Sequence, residues 1–434
     1  MKEDQRIQTA FDAAAETYAQ WGVDVQAATA RLDEIEVSMH CWQGDDVTGL
    51  ESGGAGASGG ILSTGNYPYR PRSGDELRQD IDEALRLIPG RQRLNLHASY
   101  AETGDERPDR DGYRTAHFAR WISWAAGKGI RLDFNPTSFG HPKAADNLTL
   151  SHPDAGIRAF WVDHFRACRA IAADIGRMQG DTCVVNHWVQ DGMKDLTPSR
   201  YAYRERLRDS LDEVLADRYR AQDVLDAIEC KLFGIGVESY TVGSHEFYMG
   251  YLAHAQASGN DSVMLTLDMG HFHPTETIAD KIPSLLLFSP RLLVHVSRGV
   301  RWDSDFVVVT EDPLTEAMKE IARIPTTDDG DGFDRVRLAT DFFDGSINRI
   351  AAWTIGVRAT RKAVLAALLE PTTQLRAMEG EHNFAGRLSL MDEMRTAPLG
   401  AVWDQYCLEK GVPPGNRYME EIACYEREIL SARG

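Results

Sequence analysis

Eight short runs rich in apolar and β-branched residues recur along the first 345 residues, most of them about 30 to 50 residues apart. They are "VSMHCW" (37–42), "RLNLHAS" (93–99), "IRLDFNP" (130–136), "TCVVNHW" (182–188), "DAIECKLF" (226–233), "SVMLTLDMGHF" (262–272), "LLVHVSRGVRW" (292–302) and "VRLATDFFD" (336–344). The intervals are long enough for one helix plus loops, and several read as helices. "SGDELRQDIDEALRLIPG" (73–90) opens with the capping-box pair Ser73 and Glu76. Leu77, Ile81, Ala84, Leu85 and Ile88 lie on one face, and the segment stops at Pro89-Gly90. "PDAGIRAFWVDHFRACRAIAADIG" (153–176) carries a similar stripe. Eight strands alternating with helices predict an α/β fold, a (β/α)8 TIM barrel. An open doubly wound sheet is the alternative, weakened because no GxGxxG fingerprint opens the first βα unit. After residue 345 the strand pattern stops and the remainder reads as helical. Three segments follow: an N-terminal helical segment (1–36), the barrel (37–345), and the last barrel helix with a C-terminal helical extension (346–434).

Composition narrows the function classes. Lys and Arg total 47 against 66 Asp and Glu, a net charge of −19. That surplus argues against nucleic acid or an anionic membrane surface as partner. The six cysteines include no CxxC pair, and they read as reduced thiols. The first 22 residues are amphipathic without a signal-peptide core, and no run of about 18 apolar residues occurs. A cytoplasmic location is expected. "GLESGGAGASGGILSTGN" (49–66) follows the first strand and reads as a surface loop or a lid over the barrel mouth.

In a barrel, functional side chains belong at the C-terminal strand ends. His40, Trp42, His97, Asp133, Asn135, His187 and Trp188 fall there on the first four strands. The last four supply Glu229, Asp268, His295 and Asp341, an oxygen- and nitrogen-donor cage suited to Mn²⁺, Mg²⁺, Co²⁺ or Zn²⁺. His271, Asp303 and Asp305 follow within a few residues. Asp303 and Asp305, at i and i+2, could chelate one ion, and Asp268 could bridge two. Each residue alone has a bland explanation: strand-end aspartates often cap helices, and His273 before Pro274 reads as an ordinary loop histidine. Jointly, so much negative charge buried at one end needs cations to neutralise it. In "ECK", alternation turns Glu229 and Lys231 to one face and Cys230 to the other. Lys231 could then donate to a substrate oxygen, or simply pair with a neighbouring carboxylate. Trp42, Trp188, Phe134 and Phe139 divide between core packing and an apolar wall for a substrate.

The motifs "SMHCWQGDD", "GNYP", "RLNLHA", "LDFNP", "DGMKD", "CKLFGIGVESYTVGS", "EFYMGY", "HFHPTE", "RWDSD" and "DFFDGSINRIAAW" resemble the bacterial L-rhamnose isomerase family. The likeness runs from about residue 8 to the C-terminus. More distantly, the candidate ligands are similar to those of D-xylose isomerase. The resemblance implies a homotetrameric barrel that interconverts L-rhamnose and L-rhamnulose with two divalent ions. It implies Mn²⁺ as the catalytic ion on His271, Asp303 and Asp305. A second divalent cation (Zn²⁺, Mn²⁺ or Co²⁺) would sit on Glu229, Asp268, His295 and Asp341. Lys231 and His97 would contact the substrate, with Trp42, Trp188 and Phe139 along the pocket. His187 and Gly299 depart from the family pattern, where an aliphatic residue and a proline are usual; neither is a ligand. The chemistry admits a metal-promoted 1,2-hydride shift, with Asp303 or Asp305 serving the oxygen-bound proton, or a cis-enediol route. A two-metal hydrolase and a non-catalytic metal- or sugar-binding protein are the other classes such a site could serve.

Overall fold

The computed structural model describes residues 3–51, 64–234, 239–325 and 330–433. Eight parallel strands close a barrel in chain order: β1 Val37–His40, β2 Gln92–His97, β3 Arg131–Asn135, β4 Cys183–Trp188, β5 Val224–Glu229, β6 Val263–Asp268, β7 Leu292–Val296 and β8 Val336–Thr340. β8 returns to β1 through the register Val37 to Leu338. Each of the eight apolar runs therefore becomes a strand. The longest runs stop early, at Asp268 and Val296, because the residues beyond turn out of the sheet to form the barrel mouth.

Helices alternate with the strands. Two precede them, α1 (Glu3–Gln20) and α2 (Val25–Glu34). Eight form the outer ring: α3 (Gly74–Arg86), α4 (Ala119–Lys128), α5 (Ala155–Gln179), α6 (Arg200–Val214), α7 (His245–Ala257), α8 (Lys281–Leu286), α9 (Asp312–Arg323) and α10 (Arg349–Leu368). Four more follow: α11 (Thr372–Gly380), α12 (Phe384–Glu393), α13 (Leu399–Glu409) and α14 (Tyr418–Glu428). At α3 the Ser73 hydroxyl accepts from Glu76 N–H, half of the expected capping box. The reciprocal half is displaced by one residue. Glu76 accepts from the Arg72 backbone at 2.7 Å because its carboxylate is drawn to the Arg72 guanidinium.

Two fully buried arginines of α10 tie the chain ends to the barrel. Arg361 donates to the carbonyls of Leu32, Ile35 and Arg91. Arg358 donates to those of Leu87, Pro413 and Gly415. Bonds from a charged donor in such surroundings are stronger than neutral ones, so the terminal helices pack on the barrel rather than hanging from it.

The lumen has two characters. Val184, Leu225, Ala227, Met264, Leu293 and Ala339 form a separate apolar plug from β4 to β8. Across from it, Arg93 makes a bidentate pair with Asp133, which also accepts from Ser38. Asp133 thus serves the barrel floor rather than its mouth. A two-residue antiparallel pair, Gly192–Met193 with Tyr240–Thr241, joins the loops after β4 and β5. It is too short to leave a periodic signal in sequence. Residues 52–63 of the expected lid lie outside the described residues. The start of that loop is clamped: Asp45 accepts from Gly49 N–H, and Glu51 pairs with Arg110 and Tyr113.

Candidate metal centre and active site

The strand ends bring two ligand groups together. In the first, Glu229 ends β5, Asp268 ends β6, His295 lies on β7 and Asp341 follows β8. One donor atom from each falls within 4.8 Å of the others. His295 Nδ1 is 3.4 Å from Glu229 Oε1, 3.8 Å from Asp268 Oδ2 and 3.3 Å from Asp341 Oδ2. In the second, Asp268, His271 and Asp303 satisfy the same 4.8 Å limit, so Asp268 belongs to both. His271 Nε2 is 3.3 Å from Asp303 Oδ2 and 4.0 Å from Asp268 Oδ1. Asp305 lines the same cleft but falls outside the tight group. Its backbone is left-handed (φ 45°), and its carbonyl accepts from Phe343 N–H.

Other side chains orient these ligands. His271 Nδ1 donates to the Cys230 carbonyl at 3.0 Å, which turns Nε2 toward the carboxylates. Asp268 Oδ1 accepts from Gly270 N–H and from the Ser297 hydroxyl, at 2.6 and 2.7 Å. A Cβ on Gly270 would sit 2.5 Å from Asp303 Oδ1, so only glycine lets the groups close this tightly. Trp42 Nε1 donates to Asp341 Oδ1 and Asn186 Nδ2 to Glu229 Oε2. Sequence reading missed Asn186, Ser297 and Thr266. Only the inward alternation of β4 (Asn186, Trp188) offered a hint.

The donor set fits divalent cations. Asp268 Oδ2, His295 Nδ1 and Asp303 Oδ1 are buried without hydrogen-bond partners among the described residues, an arrangement folded proteins avoid unless something else satisfies the atoms. Five carboxylates (Glu229, Asp268, Asp303 and the half-buried Asp305 and Asp341) meet three basic groups (Lys231, His271, His295) around one cleft. The strain shows in proton affinities. Burial, then Asp303 and Asp341, pushes Asp268 up to about 7 against the pull of His271. Burial and the Asp303 and Asp341 charges hold Asp305 well above the usual carboxylate range. Burial lowers His271, but Asp268 and Asp303 outweigh it and lift the imidazole to about 9. Cations would relieve this repulsion.

The cleft holds about 570 Å³ of open space. Lys231 Nζ pairs with Asp303 Oδ2 at 2.6 Å and lies 5.2 Å from the Trp188 ring centroid. Burial opposes its charge, yet Asp303 and Asp305 keep the ammonium protonated. Facing the carboxylates is an aromatic arc. Trp42 and His97 are 4.5 Å apart, His97 and Phe139 5.6 Å, and Phe139 and Trp188 5.6 Å. His97 Nδ1 is directed at the Pro136 carbonyl, leaving Nε2 for the cleft. Val47, Trp302 and Phe343 also line it, and none was singled out from sequence. Val47 is held at φ 61°, strained for a β-branched residue, between the anchored Asp46 and the mouth.

Several strand-end residues serve the fold instead. Phe134 packs edge-on against Phe118 behind the barrel wall. His187 points outward to Asp226 and stacks on Phe165. His273 is exposed and bonds Thr275. Asp344 caps Ser346.

A closed barrel with two adjoining His/Asp/Glu groups that could each hold a metal ion, sharing one carboxylate at its C-terminal mouth, has the layout of a barrel enzyme with a divalent-metal site. The family model described as L-rhamnose isomerase (RhaA) matches residues 5–433. The L-rhamnose isomerase of Rhodopirellula baltica is 53% identical over 433 residues, covering 100% of this chain and 98% of its own. Those of Salmonella paratyphi A and Salmonella typhimurium are each 50% identical over 428 residues, covering 99% of both chains. The chain belongs to the L-rhamnose isomerase family. A solved L-ribulose 3-epimerase overlays with a TM-score of 0.46 at 12% identity, over 79% of this chain and 97% of that one.

Proposed function

We propose that this enzyme interconverts L-rhamnose and L-rhamnulose by moving hydrogen within the open-chain sugar. The observation that carries the reading is the pair of ligand groups sharing Asp268, with Lys231 beside them and an aromatic arc opposite. Glu229, Asp268, His295 and Asp341 would hold a divalent cation (Zn²⁺, Mn²⁺ or Co²⁺) against the sugar hydroxyls. His271, Asp303 and Asp305, with Asp268 shared, would hold Mn²⁺ at the reacting end. Cations held by these residues would supply polarisation of the carbonyl and acidification of hydroxyl protons.

The chain's own groups supply the rest. In the aldose-to-ketose direction the hydrogen on C2 passes to C1 with its electron pair. One proton passes from O2 to O1, so atoms and charge balance without nicotinamide or flavin. Lys231 stabilises negative charge on the substrate oxygen. Asp303 is committed to Lys231 and His271, which leaves Asp305 the freer carboxylate for the O2-to-O1 proton. His97, which lines the cleft on the aromatic side, would assist pyranose opening through Nε2. Trp42, Phe139 and Trp188 cover apolar sugar faces and exclude water. Rhamnose deuterated at C2 tests the route: label retained at C1 of the product supports the intramolecular shift, and label lost to solvent supports the enediol.

The working form we propose is a cytoplasmic homotetramer. No helix among the described residues is long and apolar enough to cross a membrane. On α12, Phe384 and Leu388 are 51% and 66% exposed, apolar surface available to a neighbouring subunit. Light scattering on the wild type and a Phe384→Ser/Leu388→Ser variant checks this: a tetramer that dissociates in the variant supports it, and a monomeric wild type contradicts it.

A further inference from the structure

We propose that Asn186, locked by Thr266, is a positioning residue that keeps Glu229 a one-oxygen ligand and so tunes the four-residue ion site toward small divalent cations over Ca²⁺. This rests on the metal-centre reading above. Glu229 lies fully within the barrel, and its two oxygens have different surroundings. Oε1 faces the imidazoles, 3.3 Å from His271 Nδ1 and 3.4 Å from His295 Nδ1. Oε2 accepts from Asn186 Nδ2 at 2.5 Å. The amide cannot turn over without loss, because Asn186 Oδ1 accepts from the Thr266 hydroxyl at 2.6 Å. Only an N–H can serve a carboxylate, and only the amide oxygen can serve that hydroxyl as donor. Asn186 is 2% exposed and Thr266 is fully buried, so water does not compete for these bonds.

The same division holds at the site's other carboxylates. Asp341 Oδ1 accepts from Trp42 Nε1 while Oδ2 faces His295. Asp268 Oδ1 accepts from Gly270 and Ser297 while Oδ2 has no hydrogen-bond partner among the described residues. Each carboxylate thus presents one lightly engaged oxygen to the first ligand group. Three single oxygens and one imidazole make a low protein-ligand count. Ca²⁺ takes six to eight oxygens, reached when carboxylates bind through both atoms, whereas Zn²⁺ takes four donors and Mn²⁺ six, and both accept imidazole nitrogen. Asn186 is the donor best suited to a test, since it borders Glu229 from inside the barrel and has its own buried lock.

The test is isothermal titration of metal-stripped protein with Mn²⁺ and, separately, with Ca²⁺. It compares the wild type with Asn186→Leu, Thr266→Val and Thr266→Ser, with thermal unfolding of each metal-free protein as a fold control. In Asn186→Leu one Mn²⁺ step weakens by about 10- to 100-fold, the usual span for losing a group that orients a ligand. Ca²⁺ binding holds or tightens, because Glu229 Oε2 is freed to join Oε1. Thr266→Val moves the same way by a smaller factor, and Thr266→Ser, which keeps the hydroxyl, restores wild-type selectivity. Equal losses for both ions, or no change in either, would overturn the proposal. If Asn186→Leu does not fold, the Thr266 pair decides alone. Failure of the wild type to bind Mn²⁺ would instead refute the metal-centre reading itself.

Discussion

Lys231 is the side chain whose removal separates chemistry from metal binding. Its ammonium contacts Asp303 but is itself no ligand. Replacing Lys231 with methionine keeps the length and removes the charge. By analogy with deleting one donor to a developing oxyanion, kcat falls about 10²- to 10³-fold. Metal content, read by elemental analysis, stays at the wild-type level. Unchanged kcat would remove Lys231 from the reaction. His271 gives ion binding a pH dependence. In the metal-free protein its pKa stands near 9, so at neutral pH it carries a proton that a cation must displace. Apparent Mn²⁺ affinity therefore rises with pH up to about 9 and weakens below neutrality. The sign for the apo fold is the reverse. A raised imidazole pKa contributes stability that is complete below about 6.5 and is lost as pH passes 9. Mn²⁺ titrations across this range read the first effect, and a flat affinity would contradict it.

Among the secondary-structure elements, β4, β5 and α5 share a buried charge cluster behind the barrel wall. Arg169 makes a bidentate pair with Asp226, and His187 Nε2 joins it at 2.8 Å. Burial works against the Asp226 anion, but Arg169 and His187 bring its pKa down to about 2. That stability is present above pH 4 and is lost as pH falls toward 2. Asp226→Asn strands a buried guanidinium and costs about 3–5 kcal/mol at pH 7, measured by urea unfolding. A loss below about 1 kcal/mol would show that the cluster is dispensable. His187 also shows what a sequence can and cannot disclose. Its place near a strand end is legible, but the face it occupies depends on strand register: Asn186 and Trp188 point inward, so His187 points out. The recurring apolar, β-branched runs were enough to find all eight strands, and strand-end position put Glu229, Asp268, His295 and Asp341 at one end of the barrel. Neither could disclose Asn186 or Ser297, which look like ordinary polar residues until the barrel closes across 43 residues of chain in one case and 29 in the other. The aromatics sorted only in three dimensions. Phe134 and Phe139 are five residues apart, yet one packs behind the wall and the other lines the cleft.

Across the chain, the crowded carboxylates at the barrel mouth predict that a bound cation adds to the fold's stability. A cation present at about 100-fold its dissociation constant stabilises the native state by about 3 kcal/mol. Chelation should therefore lower Tm, and added Mn²⁺ should restore it; a Tm indifferent to chelator would mean that the buried carboxylates are neutralised by protons instead. Turnover should depend on the same cations, and reconstitution measures that dependence. Metal-stripped protein is given L-rhamnose with and without Mn²⁺, and ketose formation is followed. The expected result is no ketose without the ion and L-rhamnulose once it is restored. Folded protein, loaded with Mn²⁺, Co²⁺ or Zn²⁺ and still yielding no ketose, would contradict it.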